Sequence, residues 1–304
     1  MIVSKCPLRI SLVGGSSDLQ ESINKNGVGG VISFPCTLYT YISITKRYDK
    51  YYQISYLKTE RVLDPNQIKN DVAREVIKYF NLPPITVSFT CDIPSDGSGL
   101  ANSSSYLVGM VSAVSKLLNL ELSQHRSCEI ALEIERRFNP LTGYQDTYGC
   151  GVGGFKRIDF NLAKSGDVVI SYTFLSDNVV RNTNMYLIPT NVQRLSTDIL
   201  STVDVNKTFK LYIDTLDMYD NIYNEDIFYS ILNRAWINKK NVSNKISNEE
   251  LDKIEDRLRN EYNIKGLKLC GAGGGGYFLI ATDSEVNEGY IVNIDTLGVQ
   301  SWKI

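Results

Sequence analysis

Four groups of polar residues in this chain could meet in one reaction centre. The first is the run Ile93-Pro-Ser-Asp-Gly-Ser-Gly-Leu-Ala-Asn-Ser-Ser-Ser105, which ends where a strongly apolar helical periodicity begins. A helix start carries unpaired N–H groups and partial positive charge, so it attracts phosphate. Glycines let the backbone approach an anion, and serine hydroxyls can bind oxygen or Mg²⁺. By itself the run fits an ordinary serine-capped helix after a flexible turn equally well. The other groups are Arg9 with Asp18, Glu133 with Glu135, and Asp146 beside the glycines of 149–154. Each alone reads as structural; helix carboxylates such as Glu133 and Glu135 are usually solvated or paired with Arg. Phosphoryl transfer, however, needs a carboxylate for Mg²⁺, a cation for the developing charge and a carboxylate near the attacking hydroxyl. All three stand here beside a phosphate-type loop.

Several other chemistries lack their parts. The Gly-Lys-Ser/Thr of a Walker A loop is missing. Gly271, Gly273 and Gly276 satisfy G-x-G-x-x-G, but Tyr-Phe-Leu-Ile-Ala-Thr follows, a strand where the dinucleotide fingerprint requires a helix. The single histidine, His125, lies in a polar stretch before a helix and reads as a surface residue, which argues against a Ser-His-Asp hydrolase or a His-rich metal enzyme. Proton transfer falls to a carboxylate, Lys, Arg, Tyr or Cys. The six cysteines are scattered without a C-x-x-C pair and read as buried, reduced thiols.

Positioning such groups takes a real core, and 304 residues with 43% hydrophobic and 22% charged content supply one. The net charge of −2 and the absence of a Lys/Arg block speak against a nucleic-acid or polybasic membrane role. No apolar run approaches the ~20 residues that span a bilayer. Charges in Met1–Arg9 interrupt any signal-peptide pattern, so the expected location is cytoplasmic.

Strand-like alternation opens the chain through Arg9-Ile-Ser-Leu-Val and stops at Gly14-Gly15-Ser16-Ser17-Asp18. Further strands are expected at Thr37–Lys46, Ile85–Thr90, Phe155–Phe160, Met185–Pro189, Lys265–Cys270, Tyr277–Thr282 and Val299–Ile304. Helices are expected from Pro65 to Phe80, Ser104 to Leu118, Arg126 to Phe138, Asp226 to Lys240 and Glu249 to Glu261, with a glycine-rich turn at Gly149–Gly154. Strands and helices mix without strict βαβ alternation, which favours α+β. A domain boundary is placed near residue 180, dividing 1–180 from 181–304.

Taken in order, three of these segments resemble the GHMP kinases: Pro7–Asp18, Pro94–Ser104 against P-x-x-x-G-L-G-S-S, and Lys268–Gly276. Within that superfamily the chain is most similar to the D-glycero-D-manno-heptose 7-phosphate kinases. That similarity also takes in Glu133–Arg136, Gln145-Asp146, Gly153–Phe155, Thr190-Asn191 with Arg194 and Ser196, Trp236 with Asn238–Lys240, and Gly298–Ile304. The resemblance implies a two-domain fold with an N-terminal ribosomal protein S5 domain 2-like part and a C-terminal ferredoxin-like part. It implies ATP and Mg²⁺ as cofactors, with ATP held by Pro94, Gly97, Ser98, Gly99, Leu100, Ala101, Asn102, Ser103 and Ser104. By the same resemblance Ser103 and Glu135 bind Mg²⁺, Asp146 is the acid beside the acceptor hydroxyl and Arg9 the cation on the transferring phosphoryl. Gly14, Gly15, Ser16, Asp18, Thr190, Arg194 and the loop Gly273, Gly274, Gly275 fall to the acceptor. The pattern departs at Asp96, an extra acidic residue before Gly97, and at Ala101 and Asn102, which replace glycine or small positions.

The implied reaction is ATP-dependent phosphorylation of the anomeric hydroxyl of a sugar or sugar phosphate, a heptose 7-phosphate first among them. Two alternatives stand beside it: another acceptor of the fucose or galactose type, and a kinase-like fold kept as a binding module. No nucleic-acid or membrane partner is expected beside ATP and the sugar or sugar phosphate, and a homodimer is a possible assembly.

Overall fold

A computed structural model describes residues 1–94, 97–192 and 196–304. In chain order the strands are β1 (Ile2–Val13), β2 (Val28–Lys46), β3 (Tyr52–Ser55), β4 (Thr59–Val62), β5 (Ile85–Cys91), β6 (Lys156–Leu162), β7 (Val168–Phe174), β8 (Asn184–Pro189), β9 (Ile264–Leu269), β10 (Tyr277–Thr282), β11 (Tyr290–Ile291) and β12 (Gln300–Lys303). The helices are α1 (Gln20–Asn26), α2 (Asp71–Tyr79), α3 (Asn102–Leu118), α4 (Gln124–Phe138), α5 (Gln145–Gly151), α6 (Asn178–Arg181), α7 (Ser196–Leu200), α8 (Thr208–Asp220), α9 (Glu225–Lys240) and α10 (Glu249–Glu261).

Among the described residues these strands form two sheets. The larger runs β12-β1-β2-β5-β3-β4, with β6 and then β7 added along the early part of β2; the smaller runs β11-β8-β10-β9. The 19-residue β2 serves three partners: Val28–Ser33 pairs with β6, Ile32–Ile44 with β1, and Thr40–Lys46 with β5. Apart from the parallel β3–β5 pair, neighbours are antiparallel. This is the expected α+β class.

Three apolar clusters hold the layers together. α3 and α4 bury Leu107, Val108, Val111, Val114, Ile130 and Ile134 against β2 and β5. Leu8, Ile10 and Leu12 of β1 belong instead to a cluster shared with Leu187, Leu279 and the α9 residues Phe228 and Leu232. Successive side chains on a strand point to opposite faces, so Arg9 and Ser11 emerge on the side away from that cluster, toward α5. A third cluster seals the far side of the small sheet with Trp236, Leu251, Leu258 and Phe278.

Several boundaries differ from those expected. Pro65 opens only a short 3-10 turn; α2 proper starts at Asp71, because Asn70 Oδ1 accepts the Ala73 N–H at 2.9 Å and caps it there. Gly149 and Gly151 do not form a turn but lie inside α5. Their lack of a side chain is spent on packing: a Cβ at Gly149 would stand 3.0 Å from Arg9 Cγ, and one at Gly151 2.3 Å from Cys128 Sγ. Five of the six cysteines are buried and none is bonded to another. No described helix is long and apolar enough to cross a membrane.

Candidate active site

The loop before α3 folds as a chain of left-handed residues. Gly97, Gly99 and Ala101 have φ of 65°, 76° and 62°. The first two are glycines, for which this conformation is free of strain; Ala101 sits in it at a cost of roughly 1 kcal/mol. Leu100 is fully buried and pins the loop to the core. Ala101 occupies the N-cap of α3 and offers no side-chain acceptor, so the first N–H groups of that helix are not capped by the residue before it. Ser98 Oγ takes the Leu100 N–H at 3.1 Å and also bonds Asn102 Oδ1. Across the loop, the glycine-rich segment after β9 packs tightly, since a Cβ at Gly276 would lie 2.4 Å from the Ser98 carbonyl oxygen.

Arg9 ties this loop to the carboxylate on α5. Its backbone N–H donates to Leu100 O at 3.1 Å, and its Nη1 donates to Gly99 O at 2.7 Å. Its Nε and Nη2 donate to Asp146 Oδ1 at 3.0 and 2.7 Å. Arg9 is 4% exposed, whereas the Asp146 side chain is 26% exposed. Both bonds land on Oδ1, so Oδ2 is not consumed by the pair.

Asp18 clamps the N-terminal end of α5, beside Asp146. Its Oδ1 accepts from Ser16 N and Gln145 Nε2, both at 3.0 Å, and its Oδ2 accepts from Gln145 N at 3.1 Å. Burial raises the Asp18 carboxyl above its ordinary range, and the charge of Asp146 adds to this. Glu135 is also buried, facing inward from α4, and its two oxygens accept a bond from Ser104 Oγ at 3.0 and 2.8 Å. Burial lifts its pKa to about 7; Asp146 pushes the same way, while the Ser104 hydroxyl partly offsets both. Glu133, two residues earlier, points outward and pairs with Arg137 at 3.1 Å.

These groups line one cleft of about 230 Å³: Gly97–Gly99 and Ala101–Ser104 from the loop and the start of α3, Glu135 from α4, Asp146 from α5, and Ser16, Asp18 and Lys239. Lys239 lies in the Asn238–Lys240 segment of the resemblance, which gave it no role; α9 brings its Nζ within 2.9 Å of Gly15 O, beside Ser16 Oγ. The hydroxyl in contact with Glu135 is that of Ser104, while Ser103 is exposed on the cleft wall. Gly14 and Gly15 line a smaller niche behind Arg9.

Other expected contacts lie elsewhere. Pro94 lines a separate cavity with Tyr56, Phe89 and Tyr106. Thr190 donates its hydroxyl to Gly276 O at 2.9 Å and so supports the glycine-rich segment. Gly273 and Gly274 pack on Ile246 and Ile199, and it is Gly271 and Ala272 that reach the cleft. Asp96 and Arg194 lie outside the described residues.

The donor set suits a divalent ion. Among the described residues no ion pair reaches Glu135, so a buried carboxylate stands beside a serine hydroxyl at an anion-attracting helix start. No cluster of three His, Cys, Asp or Glu side chains is present among them either. Mg²⁺ is commonly held in this way, by one or two carboxylates with phosphate oxygens supplying the rest.

Residues 66–154 match the GHMP kinases N terminal domain. The D-glycero-alpha-D-manno-heptose 7-phosphate kinase of Campylobacter jejuni is 27% identical over all of this chain and 99% of its own length. A D-glycero-D-manno-heptose 1-phosphate kinase from Bacteroides thetaiotaomicron superposes with a TM-score of 0.76 at 21% identity, covering 100% of this chain and 99% of that one. The galactose-bound galactokinase of Lactococcus lactis gives 0.73 at 16% identity over 100% of this chain and 95% of that one. A nucleotide-type loop tied by Arg9 to buried carboxylates thus stands in a chain that has the fold of the GHMP kinases and whose residues 66–154 match their N-terminal domain.

Proposed function

We propose that the protein transfers the γ-phosphoryl group of ATP to the anomeric hydroxyl of a sugar phosphate, with D-glycero-D-manno-heptose 7-phosphate giving the 1,7-bisphosphate as the acceptor of choice. The observation that carries this reading is the Arg9–Asp146 pair, a cation and a carboxylate bonded at 2.7 Å between the phosphate-type loop and Asp18. Similarity to the Campylobacter relative from end to end supports the choice of acceptor.

On this reading the N–H groups at the start of α3 and the loop 97–101 hold the phosphates. Glu135 with a hydroxyl of Ser103 or Ser104 holds Mg²⁺, which neutralises phosphate charge when bound. Asp146 orients the acceptor hydroxyl and takes its proton as the new O–P bond forms and the bond to the ADP oxygen breaks. Arg9 meets the charge spread over the transferring group. Catalysis is mainly positioning and charge neutralisation. Ser16, Asp18 and Lys239 face the acceptor, and the cavity of about 430 Å³ beside Pro94, lined by Tyr56, Phe89 and Tyr106, is apolar enough for the base. Residues 1–180 then form the ATP-binding half and 181–304 the half that completes the acceptor side. The reaction belongs in the cytoplasm.

The test is ATP consumption against heptose 7-phosphate, heptose 1-phosphate, fucose and galactose, with products assigned by phosphorus NMR. An anomeric phosphate formed on heptose 7-phosphate is expected. Turnover with free fucose or galactose alone would move the acceptor to that type. ATP bound without consumption by any acceptor would leave a binding module.

A further inference from the structure

Lys156 is the first residue of β6 and is fully buried. Its Nζ reaches no carboxylate among the described residues. It donates instead to three backbone oxygens: Val152 O, Gly154 O at 3.3 Å and Gly149 O at 3.5 Å. These carbonyls belong to the last turn of α5 and the chain just beyond it, where helix carbonyls are left without partners and negative charge accumulates. A fourth, Gly151 O, takes the Val299 N–H at 3.0 Å.

α5 has seven residues, too few to be stable alone. Its N-terminal end is held by Asp18, and its second residue is Asp146. Gly149 packs on the Arg9 stem, so any slide of α5 separates Asp146 from Arg9. We propose that Lys156 is a positioning residue: its ammonium gathers the carbonyls at the end of α5 and thereby locks Asp146 against Arg9. This rests on Asp146 acting at the acceptor hydroxyl.

Stability does not explain the residue. A buried ammonium with only carbonyl partners is costly, and burial lowers the Lys156 pKa to about 7. Replacing it with an apolar side chain of similar length removes that desolvation cost but takes the donor from three carbonyls, two effects of opposite sign, while releasing the helix it holds. A purely stabilising role predicts that activity falls only as the folded fraction falls, whereas a positioning role predicts a lower kcat in protein that is still folded.

The test is Lys156→Met in the full chain, assayed with the acceptor that the wild type uses. Expected are a variant still folded at the assay temperature, a kcat lowered ten- to a hundredfold in that folded protein, a KM for ATP within twofold, and faster amide exchange across 145–151. Wild-type kcat in the folded variant, a loss of activity no larger than the loss of folded protein, or unchanged exchange across 145–151 overturns the proposal. Lys156→Gln keeps two N–H donors and carries the same expectations at smaller size if the methionine variant does not fold. Amide exchange is read without substrate, so it decides the role of Lys156 even if no tested acceptor is phosphorylated and the functional reading fails.

Discussion

Replacing Asp146 by Asn separates the chemistry of this site from its stability. Two N–H groups of Arg9 converge on Asp146 Oδ1, at 3.0 and 2.7 Å. An amide oxygen can still accept both, but without the charge each bond loses about half its strength, roughly 1 kcal/mol apiece. The Asp146 side chain is 26% exposed, so solvent screens part of that loss. There is also a gain: the Asp146 charge raises the pKa of both Asp18 and Glu135, and removing it relieves these buried carboxylates. The net cost should be about 1 kcal/mol, a fall in Tm of only a few degrees in a protein of this size. Turnover is a different matter, because a lost base or orienting carboxylate costs about 10²–10⁴ in kcat. Coupled detection of ADP, a thermal melt and an ATP titration on the same preparation measure all three. A folded Asp146→Asn enzyme that binds ATP and turns over within tenfold of wild type would refute the reasoning.

Arg9→Ala should also lower kcat by orders of magnitude while ATP binding persists, which a direct titration alongside the turnover assay will check. Ser104→Ala and Ser103→Ala should part company: only the first removes a bond to Glu135, so it should weaken Mg²⁺-dependent ATP binding more. Glu135 contributes a pH dependence of stable sign in the ligand-free protein. Its folded pKa of about 7 exceeds the ordinary carboxylate value of 4.5, so its contribution is complete below about pH 4.5 and fades as pH rises through 7. Urea melts of wild type and Glu135→Gln between pH 5 and 8 should show this slope in the first and not in the second. Gly276→Ala should cost about 2 kcal/mol or more, because its φ is +101° and the new Cβ would stand 2.4 Å from Ser98 O; denaturant unfolding reads this directly.

The local parts of the protein were legible in its residues. Period-two and period-3.6 patterns are backbone geometry written into side-chain type, and they located α3, α10 and β10 to within a residue or two. Glycines and serines before α3 announced a helix start open to an anion, and the order of the three glycine-rich segments announced the kinase fold. The sequence could also say that Arg9, Glu135 and Asp146 have the right chemistry. It could not say that α5 is a helix at all, because seven residues including Gly149 and Gly151 carry no helical pattern and are held by Asp18, Lys156 and the packing of Arg9. Nor could it choose Ser104 over Ser103 as the partner of Glu135, since one residue turns a side chain about 100° around a helix axis. Lys239 reaches Gly15 across more than two hundred residues of chain, a contact that no spacing encodes. Residue types and their periodicity set the reactive groups and the local shapes that carry them. Which of those groups touch was decided by tertiary packing, because a contact between distant residues depends on how layers stack and not on the types of its two ends.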